Sequence, residues 1–215
     1  MRTVVIGSGS WGTALAQVLQ DNHQEVLVYG VAEAEVNDIN ENHKNSKYFG
    51  DVELNPELKA TTDIQCVKGA DIVLLAVPTI AIDPICHQIN DLLDKKTIII
   101  NVSKGFHPET NERMSEVIRR CIDEDKLSSV VSLIGPSHAE EVVIRLLTTI
   151  DAISLNNEDA VTVQNLFSNQ YLRIYTGNDE IGSELGVAIK NVMAIASGIL
   201  SLSLIHISEP TRLGM

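Results

Sequence analysis

The chain has 215 residues, of which 44% are hydrophobic and 21% are charged, and this composition excludes a disordered chain, a collagen and a small disulfide-stapled protein. Its formal net charge of −13 at pH 7 repels phosphate backbones and anionic lipids, so we expect no nucleic-acid partner. The three cysteines lack C-x-x-C spacing and the first apolar run is too short for a signal peptide, which predicts a reducing, cytoplasmic location. The six histidines show no metal-ligand spacing, so we expect no metal.

Short β-branched segments alternate with helical patterns along the chain. Strands are predicted at residues 3–6, 25–29, 71–76, 97–102 and 130–134, with weaker candidates at 150–154 and 172–175. Helices are predicted at residues 13–20, 32–40, 80–93, 111–121, 138–146 and 160–167. Residues 43–62 form one long irregular connection, a kind of loop that often carries function. The alternation predicts an α/β fold with a doubly wound, mainly parallel sheet.

One long apolar helix is predicted at residues 181–199, after the last strand. Its apolar stripe consists of Leu185, Ala188, Val192, Ile195 and Ile199. The uncharged stretch at 192–205 has 14 residues, which is too short to span a membrane. We therefore expect no membrane span, and the stretch favours a core helix or the surface of a homo-oligomer.

A glycine-rich turn, Gly7-Ser8-Gly9-Ser10-Trp11-Gly12, lies between the first predicted strand and the first predicted helix. In this motif Gly7 permits the tight turn, Gly9 lets the backbone approach a pyrophosphate, and Gly12 lets the helix pack on the strand. The first amides of the helix are then free to bind phosphate. The alternative is a glycine-rich turn that binds no ligand. The motif predicts a Rossmann-like domain with NAD or NADP as its cofactor.

The end of the second predicted strand gives no cofactor preference. An Asp or Glu there usually binds the ribose hydroxyls of NAD, and an Arg nearby accommodates the 2′-phosphate of NADP. The strand at 25–29 ends without an acid, and Val31 and Ala32 follow without a base. The choice between NAD and NADP stays open on the sequence.

Six segments, in order along the chain, carry a resemblance to a known family. They are Gly7-x-Gly9-Ser10-Trp11-Gly12-Thr13-Ala14, Asn42-His43-x-Asn45-x-x-Tyr48, Ala76-Val77-Pro78, Ser103-Lys104-Gly105, Gly135-Pro136-Ser137-His138-Ala139-Glu140-Glu141 and Ala188-Ile189-Lys190-Asn191-Val192. In these segments the chain resembles the NAD(P)-dependent glycerol-3-phosphate dehydrogenases. It departs from them at Gly50, where the family often has a proline.

The resemblance implies an activity and a set of site residues. The implied reaction interconverts sn-glycerol 3-phosphate and dihydroxyacetone phosphate by hydride transfer and supplies glycerol 3-phosphate for phospholipid synthesis. Lys190 is the implied catalytic base, and Lys104 is implied to contact both substrate and cofactor. The implied cofactor-binding residues are Gly7, Gly9, Ser10, Trp11, Gly12, Lys104 and Ala139. The implied substrate-binding residues are Lys104, Gly135, Ser137 and Lys190.

Three of these residues also have interpretations that need no ligand. Lys104 is also typical of a solvated turn lysine, and Ser137 with Glu140 has the S-x-x-E spacing of a capping box. Lys190 lies inside an apolar helix, where a surface lysine can extend its charge to water. If Lys104 and Lys190 are neighbours, their charges and partial burial are expected to lower the pKa of one of them.

We divide the chain into a Rossmann-like NAD(P)-binding domain at 1–178, the first helix of an incomplete all-α substrate domain at 179–199, and a tail at 200–215. The family continues with a glycine-rich segment and an Arg-Asn pair, which this tail does not match. We therefore expect a C-terminally truncated member, and the first alternative is an NAD(P)-binding fragment with little or no turnover. Two further alternatives are a dehydrogenase of small hydroxy acids, which the pair Lys190-Asn191 argues against, and a non-enzymatic interaction module.

Overall fold

We describe the fold from a computed structural model, in which residues 1–207 are described, apart from the side chains of 191 and 203–207. The part of the predicted tail at 208–215 lies outside the described residues. The strands are β1 (Arg2–Ile6), β2 (Glu25–Tyr29), β3 (Lys59–Thr61), β4 (Ile72–Leu75), β5 (Thr97–Asn101), β6 (Leu127–Ile134), β7 (Thr148–Ile153) and β8 (Leu172–Gly177). The helices are α1 (Ser10–Asp21), α2 (Glu33–Asn37), α3 (Ser46–Phe49), α4 (Thr79–Asn90), α5 (Met114–Cys121), α6 (Ala139–Val143), α7 (Asn157–Phe167) and α8 (Glu180–Ile207).

The strands form one sheet in the order β3-β2-β1-β4-β5-β6-β7-β8. Every neighbouring pair is parallel except β6 and β7, which are antiparallel. This confirms the predicted Rossmann-like, mainly parallel sheet. The chain order reverses at β1, which lies between β2 and β4. Folds of this type bind ligands at the carboxyl ends of the strands where the order reverses.

Both faces of the sheet are covered by helices. In β1, Val5 belongs to one core cluster, which includes side chains of α1, α6 and α7. Its neighbours Val4 and Ile6 belong to the other cluster, which includes side chains of α4 and α5. Successive side chains of a strand point to opposite faces, so a continuous apolar run is required where both faces are buried.

The expectation that residues 43–62 are irregular is wrong in part. The short helix α3 begins at Ser46, and the three residues of β3 pair with β2. Lys59-Ala60-Thr61 has no apolar run, so composition gave no strand signal. Predicted helix bounds also shift, because α2 passes into a π-helical turn (Asp38–Asn42) and α5 begins only at Met114.

The long helix predicted after the last strand is present as α8. Its first turns pack on the sheet domain, where Glu180 accepts hydrogen bonds from Arg119 at 2.8 and 2.6 Å. Glu184 accepts from the hydroxyls of Ser115 at 2.7 Å and Ser132 at 3.1 Å. The predicted boundary at 178/179 falls between β8 and α8, and the domain division itself stays a prediction.

Beyond these turns the apolar side chains of α8 are exposed. They include Leu185, Ile189, Val192, Met193, Ile195, Ile199, Leu200 and Leu202, and Ile181 in the first turn is exposed as well. Within residues 1–207, no single helix is long and apolar enough to cross a membrane. One bent pair of helical segments satisfies the length and composition criteria when its two parts are taken together; the parts are Glu180–Lys190 and Val192–Leu202, with an angle of 44° between them.

Candidate active site

The glycine turn connects β1 to α1, and backbone atoms pack closely against two of its glycines. Gly7 has a φ of 118° and donates from its amide to the Tyr29 carbonyl oxygen at 2.8 Å. A Cβ on Gly7 would overlap the Ala76 carbonyl oxygen, and a Cβ on Gly12 would overlap the Gly7 carbonyl oxygen. Both positions therefore require glycine for the turn itself. Gly9 differs, because a Cβ there would meet no atom within 4 Å.

The open space beside Gly9 continues into a cleft. The cleft has a volume of about 460 Å³ and lies between the carboxyl ends of β1 and β4, with Ala76, Val77 and Pro78 on its β4 side. Helix α1 begins without a side-chain cap, so its first amides at Ser10, Trp11 and Gly12 have no intrahelical acceptor. These free donors are suited to a phosphate group.

The residues present fit a dinucleotide cofactor. A pyrophosphate needs a close backbone approach, free helix amides and a crevice where the strand order reverses, and the turn at Gly9 has all three. In addition, the indole Nε1 of Trp11 is buried without a hydrogen-bond partner. A buried donor left unpaired costs free energy, which a bound acceptor would recover.

The opposite wall of the cleft lies near the end of β2, and we name it the β2 wall: Ser8, Glu35, Lys47 and Tyr48. Glu35 accepts hydrogen bonds from Ser8 Oγ at 2.5 Å and from Lys47 Nζ at 2.7 Å. Burial alone would raise the pKa of Glu35, but the hydrogen bonds from Lys47 and Ser8 outweigh it and hold the pKa below its usual value. Glu35 is therefore ionised at neutral pH.

Sequence reasoning missed Glu35 because it searched for an acid directly at the end of β2. The carboxylate instead reaches the cleft from α2. Gly30 makes this arrangement fit, since a Cβ there would overlap Ser8 Oγ. No spacing rule distinguishes Glu35 from Glu33, which is two residues away and exposed.

Asn45 connects the segment at 43–62 to the glycine turn through hydrogen bonds. Its side chain is 1% exposed and donates to the Ser8 carbonyl oxygen at 2.8 Å and to Thr13 Oγ1 at 2.9 Å. The polar pattern Asn42-His43-x-Asn45 thus marks a buried contact of the turn, which the sequence could identify only through the resemblance.

The two predicted lysines lie at the same edge of the sheet as the turn. Lys104 follows β5 and its Nζ lies 5.7 Å from the centre of the Trp11 ring, within the range of a cation–π contact. Partial desolvation and, second to it, the positive charge of Lys190 lower the pKa of Lys104. The structure thus brings Trp11, Lys104 and Lys190 into one region. The expected lowering of a lysine pKa is found at Lys104.

Lys190 is half-buried and lines a cavity of about 230 Å³ with Gly135, Pro136, Asp151 and Gly186. A Cβ on Gly135 would lie 3.0 Å from Ile150 Cα, so glycine is required there for packing on β7. A Cβ on Gly186, one helical turn before Lys190, would meet no atom within 4 Å, so this small residue leaves room beside the Lys190 side chain.

Ser137 lies in the turn after β6, and Ala139 is the first residue of α6. The capping-box interpretation of Ser137 is wrong, because His138 precedes the first residue of α6 and no side chain caps the helix. Ser137 Oγ is instead buried without a hydrogen-bond partner. Ala139 is buried in the core cluster against which Trp11 also packs.

Away from the cleft, the fold brings Asp83, His87 and Cys121 together, with ligand atoms within 4.8 Å of one another. The guanidinium of Arg120 donates to Asp83 at 3.0 Å and lies 3.8 Å from Cys121 Sγ. Because a positive charge already lies against this cluster, we assign no metal to it.

A doubly wound sheet with a glycine turn at its strand-order reversal and lysines beside it defines the cofactor domain of a dinucleotide-dependent dehydrogenase. The profile of one family, described as the N-terminus of NAD-dependent glycerol-3-phosphate dehydrogenase, matches residues 2–161. The chain belongs to this family. The match confirms the family expected from the sequence and its cofactor class, NAD or NADP.

Individual relatives agree with the family. A glycerol-3-phosphate dehydrogenase [NAD(P)+] of Listeria innocua is 47% identical over 199 residues, which are 92% of this chain and 59% of the relative. That of Macrococcus caseolyticus is 46% identical over 200 residues, 93% of this chain and 60% of the relative. The crystal structure of glycerol-3-phosphate dehydrogenase from Coxiella burnetii superposes with a TM-score of 0.83 and has 30% sequence identity. The match covers 92% of this chain and 60% of the Coxiella chain. The chain thus spans about three fifths of the length of these relatives.

Proposed function

We propose that this chain is the cofactor-binding part of an enzyme that interconverts sn-glycerol 3-phosphate and dihydroxyacetone phosphate with NAD or NADP. The observation that carries the proposal is the position of Lys104, which lies against Trp11 of the glycine turn and close enough to Lys190 to feel its charge. Two positive charges at the carboxyl edge of the sheet suit a small phosphorylated substrate next to a dinucleotide.

The cofactor-binding roles proposed for the turn follow from its amides. Gly7 and Gly12 shape the turn, Gly9 lets the pyrophosphate approach, and Ser10 and Trp11 present helix amides to it. Lys104 and Ala139 complete this set. When bound, the nicotinamide accepts hydride from C2 of glycerol 3-phosphate or donates it to dihydroxyacetone phosphate. The protein orients the two molecules and holds the proton that moves with the hydride.

The proposed proton acceptor is Lys190. Its half-buried side chain lies beside small residues that leave room for a substrate. As a neutral amine it takes the proton of the C2 hydroxyl, and as an ammonium it returns that proton to the carbonyl oxygen. The positive charge of Lys104 attracts the substrate phosphate. Gly135 and Ser137, whose hydroxyl is buried without a partner, complete the proposed substrate site.

A second candidate function is dinucleotide binding with little turnover. The exposed apolar side chains of α8 favour it, because a substrate domain packed on this helix would cover them. Substrate-binding energy supplies the orientation that makes hydride transfer fast. Under this candidate the 215-residue chain binds NADH or NADPH, while its turnover is at least ~10³-fold below that of a full-length relative, the order expected when positioning contacts are missing.

The test compares the chain with a version extended by the corresponding C-terminal part of the Listeria innocua relative. In the extended protein, Lys190→Ala is expected to lower NADH oxidation by dihydroxyacetone phosphate by at least ~10³-fold while NADH still binds. Lys68→Ala, at an exposed position, is the control and keeps full activity. An extended protein that folds and binds NADH but has no activity on dihydroxyacetone phosphate would refute the proposed reaction. An active Lys190→Ala variant would refute the role of Lys190.

The location and assembly of the protein are also proposals. Cys66, Cys86 and Cys121 are all free thiols, which supports a reducing cytoplasm. There the product glycerol 3-phosphate would supply phospholipid synthesis. The exposed apolar side of α8 supports a homo-oligomer or a contact with further chain.

A further inference from the structure

The β2 wall of the cleft contains one acidic and one basic side chain, Glu35 and Lys47. Glu35 is 9% exposed and its carboxylate oxygens accept from Ser8 and Lys47. The other described residues that line the cleft are uncharged. Lys47 Nζ also lies 5.1 Å from the centre of the Tyr48 ring. The single cation of this wall is therefore already paired.

We infer that Glu35 makes the cleft selective for NAD(H) over NADP(H), because it presents a carboxylate on the side of the cleft where dinucleotide folds bind the adenosine ribose. This inference rests on the proposed function, since it concerns the cofactor of the same site. In such folds an acid near the second strand accepts a hydrogen bond from the ribose 2′-hydroxyl. Glu35 supplies that acid from α2, in place of the missing acid at the end of β2.

A 2′-phosphate changes the electrostatics of this contact. A phosphate monoester carries about −1.5 to −2 charges at neutral pH, and a buried carboxylate beside it is repelled. The hydrogen bond from the 2′-hydroxyl to Glu35 is lost as well, since the phosphate replaces the donor. Both effects disfavour NADP(H).

Lys47 does not remove this penalty. Its single positive charge already neutralises Glu35, and no second cation among the described residues lines the cleft, so a 2′-phosphate beside the pair still meets the carboxylate without a counter-charge of its own. The ion pair is reflected in both partners: the hydrogen bond to Glu35 raises the pKa of Lys47, and the pKa of Glu35 is lowered despite burial. Val31 and Ala32, which follow β2, add no other cation.

The inference is tested by measuring dissociation constants of NADH and NADPH by isothermal titration calorimetry on the 215-residue chain. We expect NADH to bind at least about tenfold more tightly than NADPH, because a like-charge contact strongly penalises one ligand. In Glu35→Gln the carboxylate charge is gone while an acceptor for Ser8 remains, and the NADH/NADPH ratio is expected to fall to within about threefold, mainly through tighter NADPH binding.

Two further variants separate the causes. Glu33→Gln, which removes an exposed charge from the same helix, is the matched control and keeps the tenfold ratio. Lys47→Met is expected to keep or enlarge the preference for NADH, because it removes the only cation of the wall.

Each alternative outcome has a distinct meaning. NADPH binding as tight as NADH in the unaltered chain overturns this inference and leaves the proposed function standing. An unchanged ratio in a folded Glu35→Gln variant overturns the role of Glu35, and so does a folded Lys47→Met variant that has lost the preference for NADH. Failure of both nucleotides to bind the unaltered, folded chain overturns the proposed function itself.

Discussion

Gly12 and Gly9 lie three positions apart in the glycine turn, and their surroundings differ. A Cβ on Gly12 would overlap the Gly7 carbonyl oxygen, whereas a Cβ on Gly9 would meet nothing within 4 Å. We therefore expect Gly12→Ala to lower the free energy of unfolding by about 1–3 kcal/mol, the usual cost of forcing a group into packed backbone. Gly9→Ala is the matched control and is expected to leave stability unchanged. Chemical denaturation of both variants measures the difference, and equal stability would contradict the steric role of Gly12.

The residues of the turn could be predicted from the sequence because their chemistry depends on a short, contiguous motif. Gly7, Gly9 and Gly12 have the backbone surroundings that the motif requires. Glu35 could not be predicted in the same way, since it meets Ser8 across 27 positions of the chain. Such a contact depends on how α2 packs, which local periodicity does not report.

At the scale of whole elements, the segment at 43–62 is fixed in place by polar side chains that contact its neighbours. Asn45 donates to the turn. Gln17 of α1 accepts from the Asn55 amide at 2.7 Å and donates to the Val143 carbonyl oxygen at 3.3 Å. These amides join the loop, α1 and α6 into one support for the cleft. The sequence showed polar residues here but not that they are buried.

Loss of the Asn45 amide is expected to weaken both the fold and the cofactor site. Asn45→Ala leaves the Ser8 carbonyl oxygen and the Thr13 hydroxyl without this donor, which costs about 1–3 kcal/mol of stability for buried groups. NADH affinity should fall too, because Ser8 is part of the turn. Thermal unfolding and NADH titration measure the two effects. Asn42→Ala, at an exposed position, is the control, and an Asn45→Ala variant equal to it in both measurements would contradict this account of the loop.

The attachment of α8 is expected to depend on pH through Glu180. Burial alone would raise the pKa of Glu180, but the hydrogen bonds from Arg119 and Arg113 outweigh it and hold the pKa below the usual 4.5. Because the folded pKa is the lower one, the stabilisation is complete above about pH 4.5 and is lost as the pH falls through the folded pKa.

The free energy of unfolding, measured from pH 7 to 3, should thus fall less steeply in Glu180→Gln than in the unaltered chain. The variant should also be less stable at pH 7, by about 1–3 kcal/mol for the lost charged hydrogen bonds. Glu124→Gln, at an exposed position, serves as control and should follow the unaltered chain. Parallel acid profiles for Glu180→Gln and the unaltered chain would show that Glu180 does not hold α8.

For the whole molecule, the exposed side of α8 is the feature that most affects behaviour in solution. Val192, Ile195 and Ile199 are 66%, 64% and 63% exposed, and contiguous apolar surface of several hundred Å² drives association. We expect sedimentation velocity to show a mass that increases with protein concentration. Ile195→Glu with Ile199→Glu should give a monomer, while Ala194→Glu with Ser197→Glu, on another face of the helix, should not. A concentration-independent monomer of the unaltered chain would contradict this expectation.

The central claim is that the cleft beside Gly9 binds a dinucleotide, and one titration tests it directly. Trp11 is the only tryptophan of the chain and belongs to the turn, so its fluorescence reports on the site. NADH should quench it saturably in the unaltered chain. In Gly9→Val, whose side chain blocks backbone approach, the quenching should be lost while the thermal unfolding midpoint stays within about 2 °C, because a Cβ on Gly9 meets no neighbour within 4 Å and so disturbs little packing. Equal NADH affinity in a folded Gly9→Val variant, or no saturable quenching in the unaltered chain, would contradict the claim.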